Sequence, residues 1–190
     1  MEIYKHFLKK IELEGSKKLS IHFDINAKKS YTKDSKFYIS SYYVDGEMVQ
    51  ELYKAKQEEK AIIFLNILVG VLCDIAKINN CENDIMEKIR IAQEKTIKSY
   101  FYLEKEMKKY TIFTNDGSLH VYRRLNEDGE MWYLRLYKEK NVVREYKLLP
   151  KPVYISQEPV FDKCVLENGV VKFYEKYGRI LMLFRNKLST

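Results

Sequence analysis

The chain has 190 residues, of which 46% are hydrophobic and 32% charged, with only 7 Gly and 3 Pro. This length and composition predict one folded domain and exclude a chain that is mostly disordered or of low complexity. The net charge of +7 favours acidic or polyanionic partners. The excess is spread out, with 20 Lys and Arg against 17 Asp and Glu up to residue 109 and 14 against 10 after it.

The cysteines and the apolar segments predict a cytoplasmic protein. The three cysteines form no paired pattern, which argues against a secreted disulfide framework. The first twenty residues carry charges throughout, unlike a signal peptide. The longest uncharged apolar run, 61–73, falls short of the roughly 18 residues of a membrane-spanning helix. We therefore expect a buried central helix there.

The first 46 residues predict a short helix and two strands. Apolar residues four apart indicate a helix that ends at Gly15, and alternation predicts strands at 19–25 and 37–46. Between the strands, 26–36 is predicted as a polar loop that carries four lysines.

Residues 47–109 have the period of a helical hairpin. One helix is predicted up to Ile78, apolar all round from residue 61 and stopped by Asn79-Asn80. A second, amphipathic helix is predicted over 84–109. The first helix is expected to be the buried member of this αα-hairpin.

Residues 110–188 predict an antiparallel meander. Asp-Gly pairs mark the turns between its first strands, and Asn168-Gly169 marks a later hairpin. The segment 179–185 is apolar on both faces, which predicts a central strand that is covered on both sides. The fold class is thus α+β, a single domain 1–190 in which an antiparallel sheet, including the two N-terminal strands, packs against the helical hairpin.

The sequence lacks the common catalytic and cofactor motifs. It contains no Gly-rich phosphate loop and no G-x-S-x-G nucleophile elbow. His6, His22 and His120 lie in separate elements, and no two Cys or His have ligand spacing, so neither a metal nor another cofactor is expected. A metal-independent ribonuclease stays open as an alternative, because it needs only side chains that move protons and stabilise an oxyanion. His120, Tyr122, Arg124 and Arg135 are of the right types.

The two strands predicted within residues 117–138 together form an apolar face and an opposite polar face. If NEDG (126–129) forms a four-residue loop, Tyr122 lies opposite Tyr133 and His120 opposite Arg135. If only Asp128-Gly129 forms the turn, the pairing slides by two residues and each side chain keeps its face. The apolar face carries Leu119, Val121, Leu125, Trp132, Leu134 and Leu136. The opposite face, here called the Tyr/Arg face, carries His120, Tyr122, Arg124, Tyr133, Arg135 and Tyr137.

The Tyr/Arg face has two interpretations. Aromatic rings and guanidiniums suit the stacking of bases and the binding of phosphates. The same residues also stabilise a solvated sheet by cross-strand pairing without any ligand.

The lysine segment, comprising Lys28, Lys29, Lys33 and Lys36, is the second candidate. It is either a solvated charge run or a phosphate clamp without sequence specificity.

The stretch GEMWYLRLYKEKNVVREYKLL (129–149) resembles the strand pair of WYL domains, modules that sense nucleotides or nucleic acids, with Trp132-Tyr133-Leu134 at the position that names the family. The resemblance covers about twenty residues. It departs from the family at 148–150, where Leu-Leu-Pro replaces the usual arginine, and in the helical hairpin that precedes it. No site residue is carried over from it.

These observations predict a small, basic, non-catalytic protein that binds nucleic acid or a nucleic-acid-handling complex. Inhibition of a host defence nuclease by a phage or mobile-element protein, as anti-CRISPR proteins do, is a role typical of this class. A module that binds only proteins, through the exposed parts of the helical hairpin, is the other alternative.

Overall fold

The computed structural model describes residues 2–8, 11, 13, 18–34, 36–81, 83–114, 117–149, 151–153, 161–175 and 180–185. The α+β fold is confirmed, with helices and mostly antiparallel sheets. The chain divides into two compact units, 1–101 and 102–190, and each has its own hydrophobic core. The single domain over 1–190 stays a prediction.

The first unit contains four helices and a three-stranded sheet among its described residues. Its elements are α1 (Glu2–Leu8), β1 (Lys18–His22), β2 (Ser30–Asp34), β3 (Ile39–Tyr43), α2 (Gly46–Lys54), α3 (Gln57–Ile78) and α4 (Asn83–Lys98). The sheet order is β1-β3-β2, in which β1 runs parallel to β3 and β2 runs antiparallel to it.

Helix α3 is the centre of this unit, as its all-round apolar character predicts. On one side Leu65, Leu68 and Leu72 pack in a cluster with residues of α1 and α4. On the other side Ile67 and Ile75 pack against Tyr42, Val44 and Val49. A helix that contacts neighbours on two sides keeps only a narrow exposed strip, here at Asn66 and Gly70, so its amphipathic pattern is weak.

Helix α3 is also long and apolar enough, by length and composition alone, to cross a membrane. Its most apolar 18-residue window has a mean hydropathy of 2.2, and 44% of that window is buried within the structure. The uncharged apolar run 61–73 is shorter than the helix that contains it, Gln57–Ile78. Polar contacts also join the helix to its neighbours: the Tyr42 hydroxyl donates to Asp74, and Asn66 accepts from Gln93. This environment is that of a core helix in a soluble unit; a cytoplasmic location stays a prediction.

Two helical boundaries differ from the predictions. The predicted helix 47–78 is two helices, because Ala55 and Lys56 are extended and the Glu59 carboxylate accepts a hydrogen bond from the backbone N–H of Lys56. The predicted helix 84–109 ends at Lys98. Tyr100 and Phe101 both adopt the left-handed conformation, which bulky side chains rarely do. The turn brings Phe101 against the cluster of α1, α3 and α4.

The predicted polar loop 26–36 is wrong in part, because β2 lies within it. This strand, SYTKD, is an edge strand whose side chains are mostly exposed, so it lacks the alternation that marks a half-buried strand. Tyr31 points inward, where its hydroxyl contacts Ser40 Oγ at 3.1 Å. The two N-terminal strands therefore belong to a sheet of their own.

The second unit contains two described sheets. Its elements are β4 (Leu103–Glu106), a 3-10 turn (Lys108–Tyr110), β5 (Ile112–Thr114), β6 (Gly117–Asn126), β7 (Gly129–Lys138), β8 (Asn141–Lys147), β9 (Phe161–Glu167), β10 (Val170–Glu175) and β11 (Ile180–Arg185). One sheet has the order β4-β6-β7-β8, and β5 also pairs with β6. The other has the order β11-β10-β9, so β11 lies at an edge of the described strands and its predicted central position is wrong.

The predicted apolar face of β6 and β7 is confirmed as core. All six of its residues are buried, and Trp132 packs edge-on against Phe161 with ring centroids 4.6 Å apart. Tyr110 joins them and donates its hydroxyl to the backbone carbonyl of Phe161 at 2.9 Å. Tertiary packing of aromatic rings from three elements closes this core.

A buried ion pair lies at one end of the core. The Glu130 carboxylate accepts from Arg123 at 2.7 Å and from the indole N–H of Trp132 at 2.6 Å. The backbone of Glu130 also bridges to Val153 in both directions. Removal of one partner would leave the other charge buried and unpaired, which is costly. The hydrogen bond from the indole N–H to Glu130 fixes the orientation of Trp132.

The position of α3 generates a stability prediction. Leu68→Asp should lower the free energy of unfolding by several kcal/mol, because it puts an unpaired charge into the cluster of α1, α3 and α4. Asn66→Asp is the matched control, since it adds the same charge at an exposed position two residues earlier. Urea unfolding followed by circular dichroism at 222 nm measures both. A Leu68→Asp midpoint equal to that of the control would contradict this packing.

Candidate functional site

The strands β6 and β7 place the Tyr/Arg face in the predicted register. Tyr122 pairs with Tyr133 and His120 with Arg135, while Asn126 pairs with Gly129, so the predicted four-residue loop is a two-residue turn, Glu127-Asp128. The six residues therefore share one side of the sheet, opposite the Trp132 core. The pleat of the two strands is sufficient to bring them together.

The two arginines of this face lie over tyrosine rings. The Arg124 guanidinium carbon is 3.9 Å from the Tyr133 ring centroid, and that of Arg135 is 4.3 Å from the Tyr122 centroid. Both distances are within the range of a cation–π interaction. A base could stack on these tyrosines only after an arginine had moved.

Two carboxylates neutralise the same arginines. Glu104 on β4 accepts from Arg135 at 2.6 and 3.0 Å and from Arg124 at 2.8 and 3.0 Å. Glu145 on β8 forms ion pairs with both. Neither acid was identifiable from the sequence. The predicted helix 84–109 contained Glu104, whereas β4 pairs with the edge of β6 and brings Glu104 onto the face.

These contacts shift the ionisation of the face. Burial alone would raise the pKa of Glu104, but hydrogen bonds from Arg135 and Arg124 outweigh it and lower that pKa below its ordinary value of 4.5. Burial and the hydroxyl of Tyr137 raise the pKa of Tyr122 to about 12. At neutral pH the face therefore combines charged ion pairs with a protonated Tyr122.

His120 lies at the edge of this face, between two polar side chains. Its Nδ1 is 2.7 Å from Glu106 Oε1, and its Nε2 is 2.7 Å from Ser118 Oγ. The ring of Tyr137 packs edge-on against the imidazole at 4.7 Å, and its hydroxyl lies 2.8 Å from that of Tyr122. Neither Glu106 nor Ser118 stood out in the sequence.

The lysine segment lies in the first unit. Lys28 and Lys36 are exposed, and Lys33 is exposed on β2. Lys29 forms an ion pair with Asp74 of α3 at 2.6 Å, which raises the pKa of Lys29. The segment is thus partly a strand and partly attached to the core helix.

The turn between β2 and β3 exposes two aromatic rings beside these lysines. Phe37 is 62% exposed and Tyr38 48%, and Tyr38 adopts the left-handed conformation. Asp34 holds the turn by accepting from the backbone N–H groups of Lys36 and Phe37 at 2.9 and 3.1 Å. We call the described residues Lys36, Phe37 and Tyr38 the hairpin tip. The sequence analysis placed the two rings in a strand and so did not single them out.

The described part of the chain contains no group of three or more His, Cys, Asp or Glu side chains that could hold a metal ion. Cys73, Cys81 and Cys164 are free and half-buried. Burial raises the pKa of Cys73 and takes that of Cys164 to about 12, so both are thiols rather than thiolates at neutral pH.

The lowered pKa of Glu104 generates a prediction about acid stability. A depressed folded-state pKa gives stability that is present above the ordinary value of 4.5 and lost as the pH falls through the folded value. Glu104→Gln should therefore cost on the order of 1 kcal/mol at pH 7 and flatten the loss of stability below pH 4.5.

Urea unfolding followed by the fluorescence of Trp132, the single tryptophan, reports on this unit. Glu127→Gln, at an exposed turn position, is the control and should behave like the wild type. An acid profile of Glu104→Gln that matches the wild type would show that the carboxylate contributes nothing.

Comparisons with protein-family models, curated proteins and solved structures found no match to this chain. The resemblance of 129–149 to WYL domains thus gains no support from the family models. Any function must be argued from the geometry alone.

Proposed function

We propose that this is a basic protein that binds nucleic acid without a catalytic step on it, and that the hairpin tip together with the lysine segment forms its contact surface. The observation that carries the proposal is the exposed pair of aromatic rings, Phe37 and Tyr38, beside a run of lysines. Stacking of bases and neutralisation of phosphates need these two residue types side by side.

The local charge supports a polyanionic partner. The segment 26–38 has four lysines against one aspartate, whereas the lysines and arginines of the rest of the first unit are slightly outnumbered by its acids. Positive charge is thus concentrated in the stretch of sequence that ends at the exposed rings. A phosphate backbone gains from such a concentration mainly by the release of counterions.

The shape of the tip favours a single strand over a duplex. Two adjacent rings at the end of a two-stranded hairpin can stack only on bases whose faces are accessible, and a duplex hides those faces. Each stacked base contributes about 1–3 kcal/mol. The Asp34 hydrogen bonds fix the turn, so little ordering entropy is lost on binding.

The Tyr/Arg face is the weaker candidate surface. Its arginines already bind Glu104 and Glu145, and a phosphate would have to displace those carboxylates. The Tyr122 and Tyr133 rings lie beneath the guanidiniums. Binding there requires these contacts to break, whereas the Phe37 side chain at the hairpin tip is 62% exposed.

A nucleoprotein partner would use the same surface. A protein that enters the nucleic-acid channel of a defence nuclease needs exposed rings and positive charge if it contacts the bound strand. Inhibition of such a nuclease by a phage or mobile-element protein therefore stays a prediction that shares this surface with direct binding.

Fluorescence anisotropy with labelled single-stranded DNA and RNA, at several salt concentrations, tests the proposal. Phe37→Ala should weaken binding by about 1–3 kcal/mol with little change in salt dependence, because stacking releases few counterions. Lys28→Gln with Lys36→Gln should instead flatten the dependence of log affinity on log salt by about 0.7 for each lost contact.

Two controls make the result specific. Tyr100→Ala removes a ring that is 88% exposed elsewhere in the first unit, and it should leave the affinity unchanged. Arg124→Ala with Arg135→Ala tests the Tyr/Arg face. Loss of binding in this double variant but not in Phe37→Ala would move the site to the second unit, and no binding by the wild type would refute direct nucleic-acid binding.

A further inference from the structure

Three side chains of the second unit form a continuous hydrogen-bonded chain. Glu106 Oε1 lies 2.7 Å from His120 Nδ1, and His120 Nε2 lies 2.7 Å from Ser118 Oγ. A carboxylate, an imidazole and a hydroxyl in this order are the parts of an activated nucleophile: orienting group, base and attacking atom.

The pairing of β6 with β4 and β5 brings Glu106, Ser118 and His120 together. Ser118 and His120 are two apart on β6 and so project from the same face. Glu106 ends β4, and β4 and β5 pair with the same edge of β6 in succession. The turn between them leaves the Glu106 carboxylate beside the imidazole.

The carboxylate determines which nitrogen of His120 acts as the base. An ionised Glu106 can only accept a hydrogen bond, so Nδ1 must carry the proton that it donates. In the tautomer that carries its single proton on Nδ1, Nε2 accepts from the Ser118 hydroxyl. This is the tautomer in which imidazole can remove the serine proton.

A pair of tyrosines supplies a donor on the same face. Tyr137 lies opposite Ser118 in the β6–β7 register, and its hydroxyl is 2.8 Å from that of Tyr122. The pKa of Tyr122 is raised to about 12, so it keeps its proton at neutral pH. The two hydroxyls therefore lie on the face that carries Ser118 and His120.

The hydrogen bonds of this chain take no part in the backbone pairing of the strands. They join side chains only, and none satisfies a backbone group of the described residues. The groups are also accessible, since the His120 side chain is 21% exposed and that of Glu106 30%. A purely structural polar cluster has no need for this order of groups.

We propose that Ser118 is an activated nucleophile, with His120 as its general base and Glu106 as a positioning residue, and that it accepts an acyl group from an activated carboxylic ester. This activity is separate from nucleic-acid binding by the first unit and does not rest on it.

The reaction follows the usual order of acyl transfer. Ser118 Oγ forms a bond to the ester carbonyl carbon while its proton passes to His120 Nε2. The C–O bond to the alcohol then breaks, and the leaving oxygen takes that proton. Water attacks the acyl-serine by the reverse route, with its proton moving through His120 back to Ser118, and releases the carboxylic acid.

A fluorophosphonate probe tests the nucleophile directly, because a serine so activated displaces fluoride and keeps the phosphonyl group. The full chain is incubated with the probe, and intact mass and peptide mapping give the rate and site of labelling. We expect one adduct per chain, on Ser118. No adduct, or an adduct elsewhere, would overturn the proposal.

Variants separate the roles. Ser118→Ala should abolish labelling, His120→Gln should slow it at least a hundredfold, and Glu106→Gln at least tenfold. Glu106→Asp should restore part of the loss, which a merely structural effect would not do. Ser20→Ala, on β1 of the first unit, is the control and should label like the wild type.

Trp132 fluorescence during urea unfolding shows whether each variant is folded. If His120→Gln does not fold, Glu106→Gln and Glu106→Asp still decide the question. Labelling of folded Glu106→Gln at the wild-type rate would refute the relay.

Discussion

The arrangement of the second unit depends on the pairing of β6 with three other strands. Its ten residues pair with β7 along one edge and with β4 and then β5 along the other. Because side chains alternate along a strand, this single register decides which residues enter the Trp132 core and which reach the Tyr/Arg face. It also delivers Glu104 and Glu106 to that face. A slip of one residue would exchange core and surface together.

The two candidate surfaces differ in how their charges are satisfied. On the Tyr/Arg face each arginine has carboxylate partners within the sheet, and the aromatic rings lie beneath guanidiniums. Such a network is internally neutral and offers little attraction to phosphate. The hairpin tip has the opposite character, because its rings are exposed and the lysines around it outnumber the acids. Residue types alone put the Tyr/Arg face first, whereas the carboxylate partners of its arginines are the reason for which we propose the hairpin tip.

The polar side of β6 and β7 carries two hydrogen-bonded groups that the sequence presented as one set. Arg124 and Arg135 bind carboxylates and stabilise the sheet, whereas His120 contacts Glu106 and Ser118 in the geometry of a proton relay. His120 and Arg135 are neighbours across the strands, yet their carboxylate partners are different residues of β4. The separation follows from the alternate positions of Glu104 and Glu106 along that strand.

The sequence by itself determined the elements whose signal is local. The alternation of 119–136 defined the core face, the apolar run at 61–73 defined the buried helix, and Asn168-Gly169 defined a hairpin, since each depends only on near neighbours. Tertiary structure decided the rest. Helix α4 ends at Lys98 because Phe101 packs in the cluster of α1, α3 and α4. The polar segment 30–34 is a strand because it pairs with β3.

The residues that contact Arg135 and His120 could not be identified from the sequence either. Glu104 and Glu106 carry a helical pattern in isolation, and only their pairing with β6, some twenty residues away, makes them strand residues that face Arg135 and His120. Pairing between distant segments is stabilised by the whole sheet rather than by local propensity. For this reason the candidate face could be named from the sequence, whereas the chemistry of the face could not.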